Sequence, residues 1–256
     1  MDGCESPWHK AQFVIAYDAD DVSDPPGSVS ELLDWAQTHP GRLTYPAPPD
    51  FTGSAFLRQA LYDLNGGRAS VPSAYPGAQS TDITEPLWDR LSQVAPSLWR
   101  GGETYPRDLA QLEDLFRDDQ VSFTMTYGPS TLEQLVRDGT FPAGTRVLPM
   151  EGGTLGNASF LAIPRNASDA AGAMVVADLA LSPEQQLAKA DPAVWGQYTV
   201  LDTQRLPADV AAEFAALPSS DVVPPFAQLS EGALPELSAQ WVAPLEEGWR
   251  EQVLGR

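Results

Sequence analysis

Tyr45-Pro46-Ala47-Pro48-Pro49-Asp50-Phe51-Thr52-Gly53-Ser54-Ala55-Phe56 is a proline-rich approach that releases abruptly into a helix. Arg42-Leu43-Thr44-Tyr45, just before it, alternates like a short strand, and the prolines that follow cannot donate to a ladder, so the strand stops there. Leu57, Ala60, Leu61 and Leu64 then recur at helical spacing. Asp50, Thr52 or Ser54 can cap this helix, Phe51 lies in its first turn, and Gly53 permits close approach to the backbone. Unpaired N–H groups, hydroxyls and the positive end of the helix dipole together make a seat for a phosphate, sulfate or carboxylate. The competing reading is an ordinary capped helix, which is far commoner than an anion site.

Upstream, Gln12 to Asp18 reads as a buried strand ended by an acidic turn, and Ser28 or Ser30 caps a helix carrying Leu32, Leu33, Trp35 and Ala36 on its inner side. His39-Pro40-Gly41 stops that helix. Strand, helix, strand, helix predicts a parallel crossover unit and an α/β sheet whose strand ends carry the binding loops. Downstream, residues 65–80 form a loop rich in Gly, Pro and Ser, followed by helices at Thr81–Ala95 and Pro106–Arg117. Trp99 and Tyr105 flank a Gly-Gly loop between those helices, which suits either a stacking platform or a core tryptophan. Val121 to Thr126 alternates as a strand and runs into Tyr127, after which Ser130 opens a helix; this second strand end can face the same crevice as Thr52 and Ser54. The alternative is that Tyr127 packs locally.

Glu151 to Asn157 is glycine-rich and places Asn157 at the mouth of a strand, Ala158–Ile163. Helices at Ala170–Leu179 and Pro183–Ala190 lead to Asp191-Pro192-Ala193-Val194-Trp195-Gly196. The remainder is helical with proline-rich joints, ending in Trp241, Leu245 and Trp249 at the spacing of a docking helix.

The 256 residues are 43% hydrophobic, enough for a large core, and no apolar run is long enough to span a bilayer. The first residues have neither a basic nor an apolar region of an export signal. A net charge of −20 excludes nucleic acid as a partner and biases the surface toward cationic or zwitterionic ones. Cys4, the only cysteine, permits no intramolecular disulfide and is read as lying in a mobile end with no essential role. His9 and His39 form no metal-binding pattern, no nucleophile elbow or P-loop is present, and no carboxylate pair stands out. Neither a metal nor a cofactor is expected, and an inventory of Trp, Tyr, Phe, Ser, Thr, Asn and Gly suits reversible recognition better than bond-breaking. The competing class is an enzyme of small phosphorylated substrates with Asp50 as base; a third reading is a truncated, non-functional remnant.

Glu5-Ser6-Pro7-Trp8, Pro48 to Phe56, Leu98-Trp99-Arg100, Glu151-Gly152 with Gly156-Asn157, and Lys189 to Gly196 together resemble the YnjB-type periplasmic substrate-binding proteins of ABC importers. These fall within the extracellular solute-binding protein family that includes thiamine-binding proteins. The resemblance implies an α/β, type II periplasmic-binding-protein-like fold: one α/β lobe plus an incomplete second lobe made of the C-terminal segments. Residues 1–10 would lie near the hinge, 11–150 would form the α/β lobe, and 151–256 would return across the hinge as the helical part of the family's first lobe. It also implies a monomer that lacks the front of that first lobe, captures a small ligand and partners with permease subunits at the membrane. Thiamine or a thiamine-phosphate-like compound is the leading ligand. In the family's pattern Thr52, Gly53 and Ser54, with Asp50 and Phe51, hold an anionic end. Trp99, Tyr127 and Trp195 surround the ligand's rings, and Trp8 and Asn157 lie by the chain crossings.

Overall fold

β1 (Glu5–Gln12) opens the computed structural model, which describes residues 5–218 and 220–255; Cys4 lies outside them. The chain continues through β2 (Val14–Asp18), α1 (Val29–Thr38), α2 (Phe51–Leu64), α3 (Thr81–Val94), α4 (Leu109–Arg117), β3 (Phe123–Thr126), α5 (Pro129–Arg137) and β4 (Thr145–Val147). It then forms β5 (Leu155–Ala162), α6 (Ala170–Leu181), α7 (Pro183–Ala190), α8 (Ala208–Ala215), the single turn α9 (Phe226–Leu229), β6 (Leu234–Pro235) and α10 (Val242–Trp249).

These strands make two three-stranded sheets. In one, β2 lies between β3 and β4 and is antiparallel to both; in the other, β5 lies between β1, antiparallel, and β6, parallel. The predicted parallel crossover is not formed. Arg42 to Tyr45 is extended but joins no ladder, because its carbonyls serve two different segments: Arg42 O accepts from Ser122 N at 2.8 Å and Leu43 O from Trp99 N at 2.8 Å. Gly41 before it and Pro46 after it leave too little chain for a regular pairing.

The first sheet carries the main core. Phe13, Ile15, Leu32, Leu33, Leu57, Leu61, Phe123 and Met125 are fully buried; the strand residues between them, Val14, Ala16 and Thr124, are buried as well, so this sheet is covered on both faces. The expected C-terminal docking helix forms: Trp241, Leu245 and Trp249 are buried, and Trp249 Nε1 donates to the Tyr45 hydroxyl at 3.0 Å. Gly248 makes the close packing possible, since a Cβ there would lie 2.6 Å from the Trp88 ring.

The two sheets are joined where β1 turns into β2 and where the chain returns from β4 to β5. Phe13 N donates to Leu155 O at 2.8 Å, and the buried Gln12 side chain donates to both the carbonyl and the hydroxyl of Thr154 at 2.6 and 2.8 Å. These two adjacent passages are tied by buried hydrogen bonds, and the chain crosses again between β6, in the second sheet, and α10, which docks on the main core.

Candidate ligand-binding site

The start of α2 is a closed cap. Asp50 Oδ1 accepts from Thr52 N at 2.9 Å and from Gly53 N at 3.0 Å, so the chain's own carboxylate occupies the N–H groups an external anion would need. Thr52 and Ser54 are buried, and the Ser54 hydroxyl donates to Glu246 at 2.7 Å. Gly53 is required for packing: a Cβ on it would lie 2.1 Å from Pro46 O. The expected anion seat is therefore corrected to the commoner capped helix. The same geometry engages one oxygen of Asp50, the base of the enzyme alternative, in capping α2.

Phe51, 59% exposed, leans on Tyr127 with ring centroids 5.1 Å apart, and Tyr127 in turn lies 5.5 Å from Phe13. The Tyr127 hydroxyl donates to Glu236, whose other oxygen accepts from Arg58 Nε at 3.0 Å. Burial raises the Tyr127 pKa, and the Glu236 charge adds to the effect, so the phenol stays a neutral donor. Trp99 is displaced from the expected ligand wall. It is 7% exposed within the core, and the Arg100 guanidinium covers its ring at 4.2 Å. Its Gly-Gly loop serves the chain turn, with Gly102 at φ 68° and a Cβ there meeting Ala95 O at 2.4 Å. Asn157 is exposed on β5 opposite Ala11, and its side chain accepts from the neighbouring Ala158 N at 2.7 Å.

Trp8 and Trp195 do come together. Their ring centroids are 6.1 Å apart, and Trp195 remains 44% exposed. Beneath them the buried Lys189 donates to Trp8 O at 2.6 Å and to Tyr198 O at 3.1 Å, and its ammonium lies 4.9 Å from the Trp8 ring centroid. Burial lowers its pKa to about 8. The turn carrying Trp195 meets the start of α5, which follows Tyr127: Gln197 donates to the Ser130 hydroxyl at 3.2 Å, and a Cβ on Gly196 would lie 2.8 Å from Ser130 Cβ. Ser130 sits inside α5 and does not cap it; the cap position is Gly128.

Behind that contact is a cavity of about 850 Å³. Ser130 and Glu133 line it from α5, while Tyr198, Phe226 and Lys10 line it from the other side. Tyr198 and Phe226 are paired at 4.2 Å between centroids, and Lys10 Nζ lies 5.6 Å from the Phe226 ring centroid. Burial raises the Glu133 pKa; burial followed by the Glu133 charge raises that of Tyr198. Apart from Ser130, none of these groups was legible as a site residue. Tyr198 follows the Trp195-Gly196 turn by two positions, which was the available signal; Phe226 and Lys10 reach the cavity only through the tertiary fold. A concave, mixed polar and aromatic space of this size suits a small organic molecule.

The sequence profile of the family described as "Bacterial extracellular solute-binding protein" matches residues 1–218. The chain is 38% identical to Protein YnjB of Escherichia coli K12 over 247 residues, covering 96% of the chain but 62% of that relative. Among solved structures it superposes on an ABC transporter protein of Clostridium perfringens with a TM-score of 0.64 at 16% identity, covering 98% of this chain and 69% of that one. A periplasmic thiamin binding protein gives a TM-score of 0.59 at 17% identity, covering 98% and 66%. The spermidine/putrescine protein PotD of Streptococcus pneumoniae gives 0.63 at 13% identity, covering 98% and 68%. These likenesses fix the fold as that of the type II binding proteins.

Proposed function

We propose that this chain, which belongs to the bacterial extracellular solute-binding protein family, captures a small solute reversibly in the periplasm and delivers it to the permease of an ABC importer. The observation that carries the reading is the cavity between α5 and the segment that returns through β5. It brings parts distant in sequence, Ser130 and Glu133 against Tyr198 and Phe226, around one space. Residues 11–150 with the docked α10 act as one lobe, the chain from 151 through β6 returns toward the other, and the β1–β5 pair lies at the hinge. Motion about these crossings opens and closes the Ser130–Gln197 contact, and with it the cavity.

Thiamine or one of its phosphates is the cargo to test first. Its cationic ring suits an aromatic pair with a neighbouring carboxylate, and cation–π contact contributes about 0.5–2 kcal/mol. The closed Asp50 cap gives no support to a phosphate at the start of α2. Calorimetric titration of the chain with thiamine, its phosphates and spermidine tests both levels of the reading. Saturable heat with a thiamine compound is expected. Binding of spermidine alone keeps capture and removes thiamine; heat from none of them removes capture.

A further inference from the structure

We propose that the cavity selects a solute carrying a positive charge at one end and a negative charge at the other, held by Glu133 and Lys10 across the Tyr198–Phe226 pair. The inference rests on the capture reading above and names the class of molecule captured. Both charged residues line the same space, and among the described residues neither belongs to an ion pair. Arg137, one helical turn from Glu133, directs its guanidinium to Pro192 O at 3.4 Å, and its charge together with a Ser220 hydrogen bond offsets only part of the effect of burial on the Glu133 carboxylate. The order along the cavity follows from the contacts. Glu133 lines the α5 side, Tyr198 lines the opposite side and is paired with Phe226, and Lys10 lies over the Phe226 ring.

The energetics favour a doubly charged ligand. A partly buried charge without a partner is costly, and a ligand charge that compensates it recovers that cost. A cation alone satisfies Glu133 and leaves Lys10 uncompensated; an anion alone does the reverse and also meets the field of a chain with net charge −20. A molecule with both charges satisfies both ends while its body fills the space beside the aromatic pair. This location for the anionic end replaces the start of α2, where Asp50 already occupies the N–H groups.

Two matched pairs of probes test the idea by calorimetry on the full chain: thiamine against thiamine monophosphate, and the methyl ester of γ-butyrobetaine against γ-butyrobetaine. In each pair only the second compound has the negative end. At least one doubly charged compound is expected to bind about tenfold tighter than its singly charged mate, equivalent to about 1.4 kcal/mol. Lys10→Gln should erase that preference while changing affinity for the cation less than about twofold, Lys10→Arg should retain it, and Glu133→Gln should weaken both members about tenfold. Circular dichroism melts of each variant confirm that the comparison is made on folded protein. Equal affinity within each pair, or preferences unmoved by Lys10→Gln, overturns the inference and leaves capture standing. Absence of binding by all four probes also overturns it; spermidine, titrated in parallel, then separates a live capture reading from a failed one.

Discussion

α2 and α6 are both rich in apolar residues, yet α2 buries eleven of its fourteen residues whereas α6 buries none of its twelve. The difference lies in their neighbours. α2 is enclosed by α1, α3 and α10, while α6 meets only α7 and β1 to any extent. Met174, Val175, Val176 and Leu179 consequently stay exposed on α6. Apolar content sets how much surface an element can bury; the tertiary arrangement decides how much it does bury. Stability is therefore concentrated around the β3-β2-β4 sheet and the α10 helix docked on its core, and the returning segment from β5 through α8 contributes walls to the cavity with few buried apolar side chains.

The sharpest way to break this comparison is to create a void in α2. Phe56 is fully buried and stacks on Tyr45 with centroids 4.5 Å apart. Phe56→Ala should lower unfolding free energy by about 3–5 kcal/mol, because transfer and cavity costs add and the surrounding helices restrict collapse. Urea denaturation with the slope held in common measures it. A loss below about 1 kcal/mol would place the stabilising core elsewhere.

A smaller, pH-dependent effect belongs to the returning segment. Lys189 has a pKa of about 8 in the fold, lowered by burial from 10.5. Below pH 8 both folded and unfolded chains hold the proton, and the folded state bears the full cost of the buried charge. Between about pH 8 and 10.5 the folded chain has released it while the unfolded chain has not, so stability rises with pH, by at most about 1.4 kcal/mol per unit from this group. Lys189→Met should remove that contribution to the slope. Both carbonyls it would lose keep another donor, Gln186 Nε2 for Trp8 O at 3.1 Å and Lys10 N for Tyr198 O at 3.2 Å. Thermal melts of both proteins at pH 7 and pH 10 provide the check, and parallel pH dependence in the two would contradict the assignment.

The helices were legible where local chemistry was sufficient. Ser28 caps α1, Ser182 caps α7, and the four-residue spacing of Trp241, Leu245 and Trp249 marks a buried face. β1 was read only as a segment near a hinge, since Trp8, His9 and Lys10 lack strand alternation and pair because β5 lies beside them. The parallel crossover failed because pairing direction is set by which segments meet, and Arg42 to Tyr45 meets two at once. Of the expected aromatics, Trp8 and Trp195 pair with each other and Tyr127 precedes α5, but none of the three lines the cavity, and Trp99 is buried in the core because an indole serves either role and only packing chooses. Glu133 was invisible among many acidic residues until the fold turned it toward the cavity.

The smallest effect tests the exposed side of the comparison. Val175 is 69% exposed on α6, the reverse of a core valine. With little apolar contact to lose, Val175→Ser should change unfolding free energy by no more than about 0.5 kcal/mol, despite replacing a hydrophobic residue in the middle of an apolar helix. The small helix-propensity difference between valine and serine points the same way. Urea denaturation at two protein concentrations makes the result decisive. A loss above about 1 kcal/mol at both concentrations would mean that Val175 is packed within the chain, and the contrast with α2 would collapse. A loss that appears only at the higher concentration would mean that the face is covered by association, in which case the exposure of α6 is a property of the isolated chain alone.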